Sequence, residues 1–237
     1  MNAFVLKIIA LVTMVIDHMG AVFPETFGFE FRVIGRIAFP IYVFLIAEGF
    51  RHTKNPKQFL VRLFAFAIIS EPVFDWAIRG ASFPWGVNFL ADTNIFYTLF
   101  FGGAAIVSYE KIREKFGWII AILPVAAFAL LAEYVFTSDY GAYGVVFIFI
   151  MYVIRHKNLS LAAMAALCVW QHEWIFRQAF AYGFDTIPPI GWMLIPATLV
   201  SVLLVAFYNG KRGLSLKWFF YVSYPVHLAV LAVVLHL

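Results

Sequence analysis

Charge is scarce in this chain of 237 residues. Its seventeen basic and thirteen acidic side chains are 13% of the residues, about half the share usual in soluble domains. That is too few to cover a compact globule of this length with polar surface. Cysteine is scarcer still: Cys168 stands alone inside an apolar stretch, which excludes an intrachain disulfide framework or a cysteine zinc cluster and points to packing. No Walker A loop, G-x-G-x-x-G, H-E-x-x-H or G-x-S-x-G occurs, so ATP hydrolysis, dinucleotide redox chemistry, zincin proteolysis and a nucleophile-elbow esterase lack support. The "NGKRG" at 209 to 213 reads as a basic turn. The net charge of +4 does not point to nucleic acid, because the basic residues sit at the ends of apolar runs without interleaved stacking aromatics.

What the chain does have is apolar length: 64% of its residues are hydrophobic. A membrane-spanning helix needs about 20 mainly apolar residues. That ruler gives candidate spans at 4 to 23, 31 to 50, 58 to 78, 94 to 110, 117 to 136, 140 to 155, 159 to 182, 188 to 208 and 216 to 236. The expectation is an all-α polytopic transmembrane bundle of nine spans in one domain covering 1 to 237. The first run has no basic leader or small-residue cleavage site, so it reads as a retained span. The weakest is 159 to 182, where Gln171, His172, Glu173 and Arg177 interrupt the apolar run; eight spans is the fallback. A break there would itself mark a site, since irregular backbone at membrane depth is tolerated only where it is buried or lines a wet cavity.

Basic residues set the orientation. With the amino terminus cytoplasmic, thirteen fall inside, at Lys7, 51 to 62, 111 to 115, 155 to 157 and 211 to 217. Only Arg32, Arg36, Arg79 and Arg177 fall outside. The positive-inside rule then places the amino terminus in and the carboxyl terminus out.

The ionisable residues inside the spans gather in one leaflet. At 1.5 Å per residue, His18 lies about 7 Å and Asp17 about 9 Å from the outer end of the first span, and Arg36 enters the second to about 7 Å. Glu71 and Asp75 share a helix face at i, i+4 near the outer end of the third span. Asn94 and Asp139 open spans from the same side, and His227 lies near the middle of the last. Buried charge in lipid is costly and normally faces the bundle interior or a hydrated cavity. Consecutive helical residues point about 100° apart, so Asp17 and His18 have different tasks. Asp17 is assigned to an interhelical partner, Arg36, and His18 to proton exchange as a candidate general base. The bland alternative makes Asp17 and Arg36 a packing pair and lets Arg32 and Arg36 snorkel to the interface. His18, His172 and His227 lie on separate helices with no spacing that fixes a metal site, and none is expected.

At the inner end of the second span, Glu48 precedes Arg51, His52, Lys57 and Arg62. A phosphate-rich ligand would be held there. Positive-inside statistics account for any single lysine in that connection, but a carboxylate at the end of an apolar helix needs a partner such as Arg51 or Arg62.

The segments "LKIIALVTMVIDHMGAVF", "RVIGRIAFPIYVFLIAEGFRHTKN", "FLVRLFAFAIISEPVFDWA", "NIFYTL", "SDYGAYGV", "FYNGKRG" and "KWFFYVSYPVHLAVL" resemble the TraX family from residue 6 to about 231. The ordered string "DHMG", "GRIAFP", "AEGFRHT" and "YPVHL" carries the specificity. The family's namesake acetylates the amino terminus of conjugative pilin. The resemblance implies a polytopic acyltransferase, related to enzymes that take an acyl group from cytosolic acyl-CoA and deliver it to an acceptor across the membrane. On that analogy Asp17, His18, Arg36, Glu48, Glu71, Asp75, Asp139 and His227 occupy the family's polar motif positions. His18 leads as base, with His227 second. Gln171, His172 and Glu173 match no family motif.

The resulting expectation is an acyltransferase of the bacterial cytoplasmic membrane, with acetyl-CoA as donor and no nucleic acid partner. Arg51, His52, Lys57 and Arg62 would hold the CoA phosphates. Asp17, His18, Arg36, Glu48 and His227 would serve catalysis, and Glu71, Asp75, Asn94 and Asp139 would hold the acceptor, a peptide, glycan or small molecule on the extracytoplasmic side. A fold does not carry its acceptor with it. The rivals are a secondary transporter using the same carboxylates and histidines as a proton or cation pathway, and a scaffold whose polar residues only register helices.

Overall fold

The computed structural model describes residues 1–83 and 86–237, and every regular element among them is helical. In order these are α1 (Ala3–Val22), α2 (Pro24–Gly35), α3 (Ala38–His52), α4 (Pro56–Ile78), α5 (Ile95–Leu130), a π-helical turn (Leu131–Val135), α6 (Gly141–Val153), α7 (Lys157–Trp170), α8 (Glu173–Tyr182), a 3-10 turn (Phe184–Thr186), α9 (Pro189–Trp192), α10 (Leu194–Ala206) and α11 (Lys217–Leu235). Asn2, Asn55 and Asn94 cap α1, α4 and α5, each with its side-chain oxygen accepting from a backbone N–H of the first turn.

Five helical stretches are long and apolar enough to cross a membrane: Ala3–Val22, Pro24–His52, Ile95–Val135, Pro189–Ala206 and Lys217–Leu235. A sixth arises if α7 and α8, bent by 46° at their junction, are one broken span. The chain is therefore a multi-pass helical membrane protein. The smaller count than nine has physical causes. α4 is long enough but carries Arg62, Glu71 and Asp75. The 13 residues of α6 reach only about 20 Å of a roughly 30 Å hydrocarbon layer. Ile95–Val135 joins what the sequence divides into two spans, and Gly117 inside it (φ 81°, ψ 171°) departs from helical geometry. Only glycine adopts that left-handed extended conformation without strain.

The helices group into two compact units. The first comprises Met1–Tyr42, His156–Ser223 and Val234–Leu237; the second comprises Val43–Arg155 and Tyr224–Val233.

In the first unit α1 packs against α2, and α7 against α10. Val33, Ile175, Ala179, Ile187 and Leu194 form a buried apolar cluster joining α2, α8 and the region of α9 and α10. The basic turn at 209 to 213 is stitched to the start of α1, with Ala3 N donating to Lys211 O (2.9 Å) and Phe4 N to Arg212 O (3.1 Å). In the second unit α5 packs against α4 and α6. The segment before α5 is tied to the one before α6, with Asp139 N donating to Thr93 O (2.8 Å) and Thr98 Oγ1 to the Asp139 carbonyl.

Candidate functional site

Asp17 is the centre of the charged cluster in the first unit. Its Oδ1 accepts from Arg36 Nη2 at 2.7 Å, its Oδ2 pairs with Arg32 Nη1, and its backbone oxygen accepts from the same Arg32 nitrogen at 3.2 Å. Arg36 Nε donates to Arg32 O at 3.2 Å, which fixes one guanidinium relative to the other. Close approach of α1 and α2 makes this geometry possible. A Cβ at Gly35 would overlap the Asp17 side chain, and one at Gly20 would lie 2.8 Å from Phe31 Cβ. Arg32 thus reaches into the cluster, where the sequence alone allowed it merely to snorkel. His18, next along α1, is half-buried.

Two interruptions in the helices lie in this unit. The turn at Arg36 and Ile37 separates α2 from α3, and the bend at Gln171 and His172 separates α7 from α8. Buried His172 lies within Coulombic reach of Arg36. The apolar cluster accounts for that approach, because Val33 and Ile175, each three residues from one of the two, pack in it together. His172 Nε2 lies 2.7 Å from Thr198 Oγ1, while Thr198 Oγ1 donates to Leu194 O at 2.8 Å. A hydroxyl has one hydrogen to give, so with that hydrogen on Leu194 O it is Nε2 that donates to Thr198. Ser201 Oγ donates to Thr198 O at 2.6 Å, and the Cys168 sulfur lies 3.9 Å from Ser201 Oγ. His172 is the residue the motifs missed; its one visible signal was the break in hydropathy at 171 to 173.

At the inner end of α3, Glu48 Oε1 accepts from Arg51 Nη1 at 2.5 Å, and Oε2 lies 3.4 Å from His52 Nε2. Arg51 also caps α6. Its Nε donates to Tyr152 O (3.2 Å), and its Nη2 to Tyr152 O (2.9 Å), Ile154 O (2.8 Å) and Met151 O. These are carbonyls that the end of α6 leaves without helical partners. Arg51, expected at a phosphate, therefore has all three guanidinium nitrogens engaged within the protein. His52 and Lys57 are exposed. Arg62 lies over the Phe59 ring at 5.6 Å, and its buried Nε has no hydrogen-bond partner.

The four residues expected at the acceptor lie in the second unit. Fully buried Glu71 accepts at Oε2 from Asn94 N (3.1 Å) and Asn94 Nδ2 (2.5 Å). Asn94 is otherwise occupied: Nδ2 also donates to Ala67 O (2.8 Å) and Oδ1 caps Phe96 N (2.9 Å). Asp75, equally buried, faces Arg79 Nη1 (3.2 Å) at Oδ1 and accepts from Asn88 N (2.7 Å) at Oδ2. Arg79 Nη2 continues to Asp92 Oδ2 at 2.8 Å. Asp139 is exposed, with both backbone polar groups engaged as described above. The half-buried His227 stands edge-on to the Tyr224 ring, centroids 5.5 Å apart. Among the described residues, no group of three or more His, Cys, Asp or Glu side chains is placed to hold a metal ion.

Several apolar spans with charges drawn into internal clusters define a polytopic integral membrane protein. The family profile described as TraX protein matches residues 3–235, and the chain belongs to that family. It is 30% identical to the probable fimbrial assembly protein FimC, serogroup H1, of Dichelobacter nodosus, over 97% of this chain and 94% of that protein. It is 26% identical to Protein TraX of Escherichia coli, over 97% of this chain and 85% of that protein. No solved structure matches the chain.

Proposed function

We propose that this protein is an acyltransferase of the bacterial cytoplasmic membrane, crossing it several times with the amino terminus inside. It moves an acetyl group from cytosolic acetyl-CoA to an amine or hydroxyl of an extracytoplasmic acceptor. Membership of the TraX family, with relatives named for fimbrial assembly, supports a pilin-like peptide terminus as that acceptor.

The observation that carries the reading is the double engagement of Asp17. Two guanidinium groups hold both of its oxygens, so Asp17 orders Arg32 and Arg36 and is not itself the base. His18, on the neighbouring bearing of the helix, takes the acceptor's proton as the acceptor attacks the thioester carbonyl. Arg36 stabilises the oxyanion of the tetrahedral intermediate. The thiolate of CoA then leaves and is protonated. His52, Lys57 and Arg62 hold the CoA phosphates, with the Arg62 Nε as a buried donor awaiting a partner. Glu48 orients Arg51 and His52, and His227 is the second candidate base.

The test is purified protein in liposomes with radiolabelled acetyl-CoA and a pilin-like amino-terminal peptide. Label transfer that is lost in His18→Ala, with helix content and melting temperature retained, is the expected result. Proton-coupled flux without any acyl turnover would replace this reading with that of a secondary transporter.

A further inference from the structure

Glu71 is a carboxylate with one half used. Its Oε2 accepts two hydrogen bonds from Asn94, whereas its Oε1 is buried with no partner. Tyr97 lies three residues beyond Asn94 and therefore on the same side of α5. Its buried hydroxyl also has no partner, and it lies within Coulombic reach of Glu71 and Asp75. A buried polar atom left unsatisfied costs about 1–3 kcal/mol, and more when it is charged. Both oxygens are thus left without a donor.

The charge balance says what kind. Glu71, Asp75 and Asp92 share the single guanidinium of Arg79, which touches Asp75 and Asp92 and reaches Glu71 electrostatically. With Glu71 ionised, the group carries surplus negative charge. Water would supply donors but no charge. A bare alkali or alkaline-earth cation would supply charge but wants about six oxygen ligands, and two are open here. An ammonium supplies both N–H donors and the positive charge.

We propose that Glu71 Oε1 and Tyr97 Oη form a buried binding site for a primary ammonium group. The carboxylate supplies the counter-charge and one acceptor, and the phenol oxygen supplies a second acceptor. Asn94 holds Glu71 from behind, and Asp75 is locked to Arg79 and takes no direct part. The inference rests on the acyltransferase reading only in naming that ammonium as the acceptor's, which selects an amine over a hydroxyl.

Calorimetric titration of the full-length protein in nanodiscs tests this, with n-propylammonium chloride as probe and n-propanol and sodium chloride as controls at constant ionic strength. Saturable binding of propylammonium alone is expected, weakened at least tenfold in Glu71→Gln and several-fold in Tyr97→Phe. Equal binding of propanol, competition by sodium, or wild-type affinity in Tyr97→Phe would overturn the site. Should Glu71→Gln fail to fold, Tyr97→Phe, which removes one oxygen and keeps the ring, decides alone. Propylammonium binding by a protein that transfers no acetyl group would keep the site and end the acyltransferase reading; acetyl transfer by a protein indifferent to propylammonium would do the reverse.

Discussion

Arg36 Nη2 sits 2.7 Å from Asp17 Oδ1, while the other oxygen of that carboxylate is held by Arg32. One acidic side chain thus carries two cations in a helical region otherwise read as lipid-embedded. Removing it is worse than removing either partner. Asp17→Ala leaves two guanidinium groups without a counter-charge and is expected to cost about 3 kcal/mol or more. Arg32→Gln should cost less, because one pair remains. Melting temperatures of the single and double variants in detergent measure the coupling, and additive effects would show that the two contacts are independent.

Gly35 tests whether the cluster depends on close helix approach. Its missing side chain is the space Asp17 fills, so Gly35→Ala must push α1 from α2 or turn the carboxylate away. A cost of about 1–3 kcal/mol is expected from overpacking. A larger fall in acetyl transfer than thermal destabilisation explains would follow from the displaced Arg36. Activity at wild-type level in Gly35→Ala would separate the cluster from the chemistry.

Arg51 and Arg62 are expected to separate in their effects. Arg51 caps the end of α6 across about a hundred residues of sequence, and Arg51→Lys loses the planar fork that reaches several carbonyls at once. It should lower stability by about 1–3 kcal/mol and change KM for acetyl-CoA little by comparison. Arg62→Gln should do the opposite, raising KM several-fold at nearly constant melting temperature. Steady-state kinetics beside thermal unfolding checks both.

Asn94 joins two functions in one side chain. It caps α5 through Oδ1 and holds Glu71 through Nδ2. Asn94→Ser retains a capping oxygen but loses the amide donor, whereas Asn94→Ala loses both. The difference, about 1 kcal/mol from the cap, should appear in denaturation midpoints. Both variants should weaken acceptor use to a similar degree, since both lose the Nδ2 donor to Glu71 and keep only the backbone N–H of residue 94 on Oε2.

His172 offers a check on the hydrogen-bond order in the first unit. Thr198→Val removes the oxygen that accepts from His172 Nε2 and is expected to cost about 1–2 kcal/mol, the penalty for a buried donor left unpaired. His172→Gln, which keeps an N–H donor, should be milder. Equal losses in the two variants would show that the ring's packing, not its donor, holds the bend.

Much of this was legible along the chain. The scarcity of charge and the apolar runs determined that the protein lives in a bilayer, because hydropathy is a local sum and needs no knowledge of neighbours. The motif string identified the family, and counting rise per residue put Asp17 and Arg36 at matching depth. Helix ends were less clear: Gly117 and the bend at 171 and 172 alter backbone direction inside stretches whose composition hardly changes. Which polar groups meet was decided only by the tertiary structure. Arg32 joining Asp17, Arg51 reaching the carbonyls of α6, Asn94 turning back onto Glu71 and His172 finding Thr198 all depend on how each helix is rotated about its axis. They depend as well on how closely backbones approach at residues such as Gly35. Rotation and approach are properties of pairs of helices, fixed by packing and by the cost of leaving a buried polar atom unpaired, and no single segment encodes them.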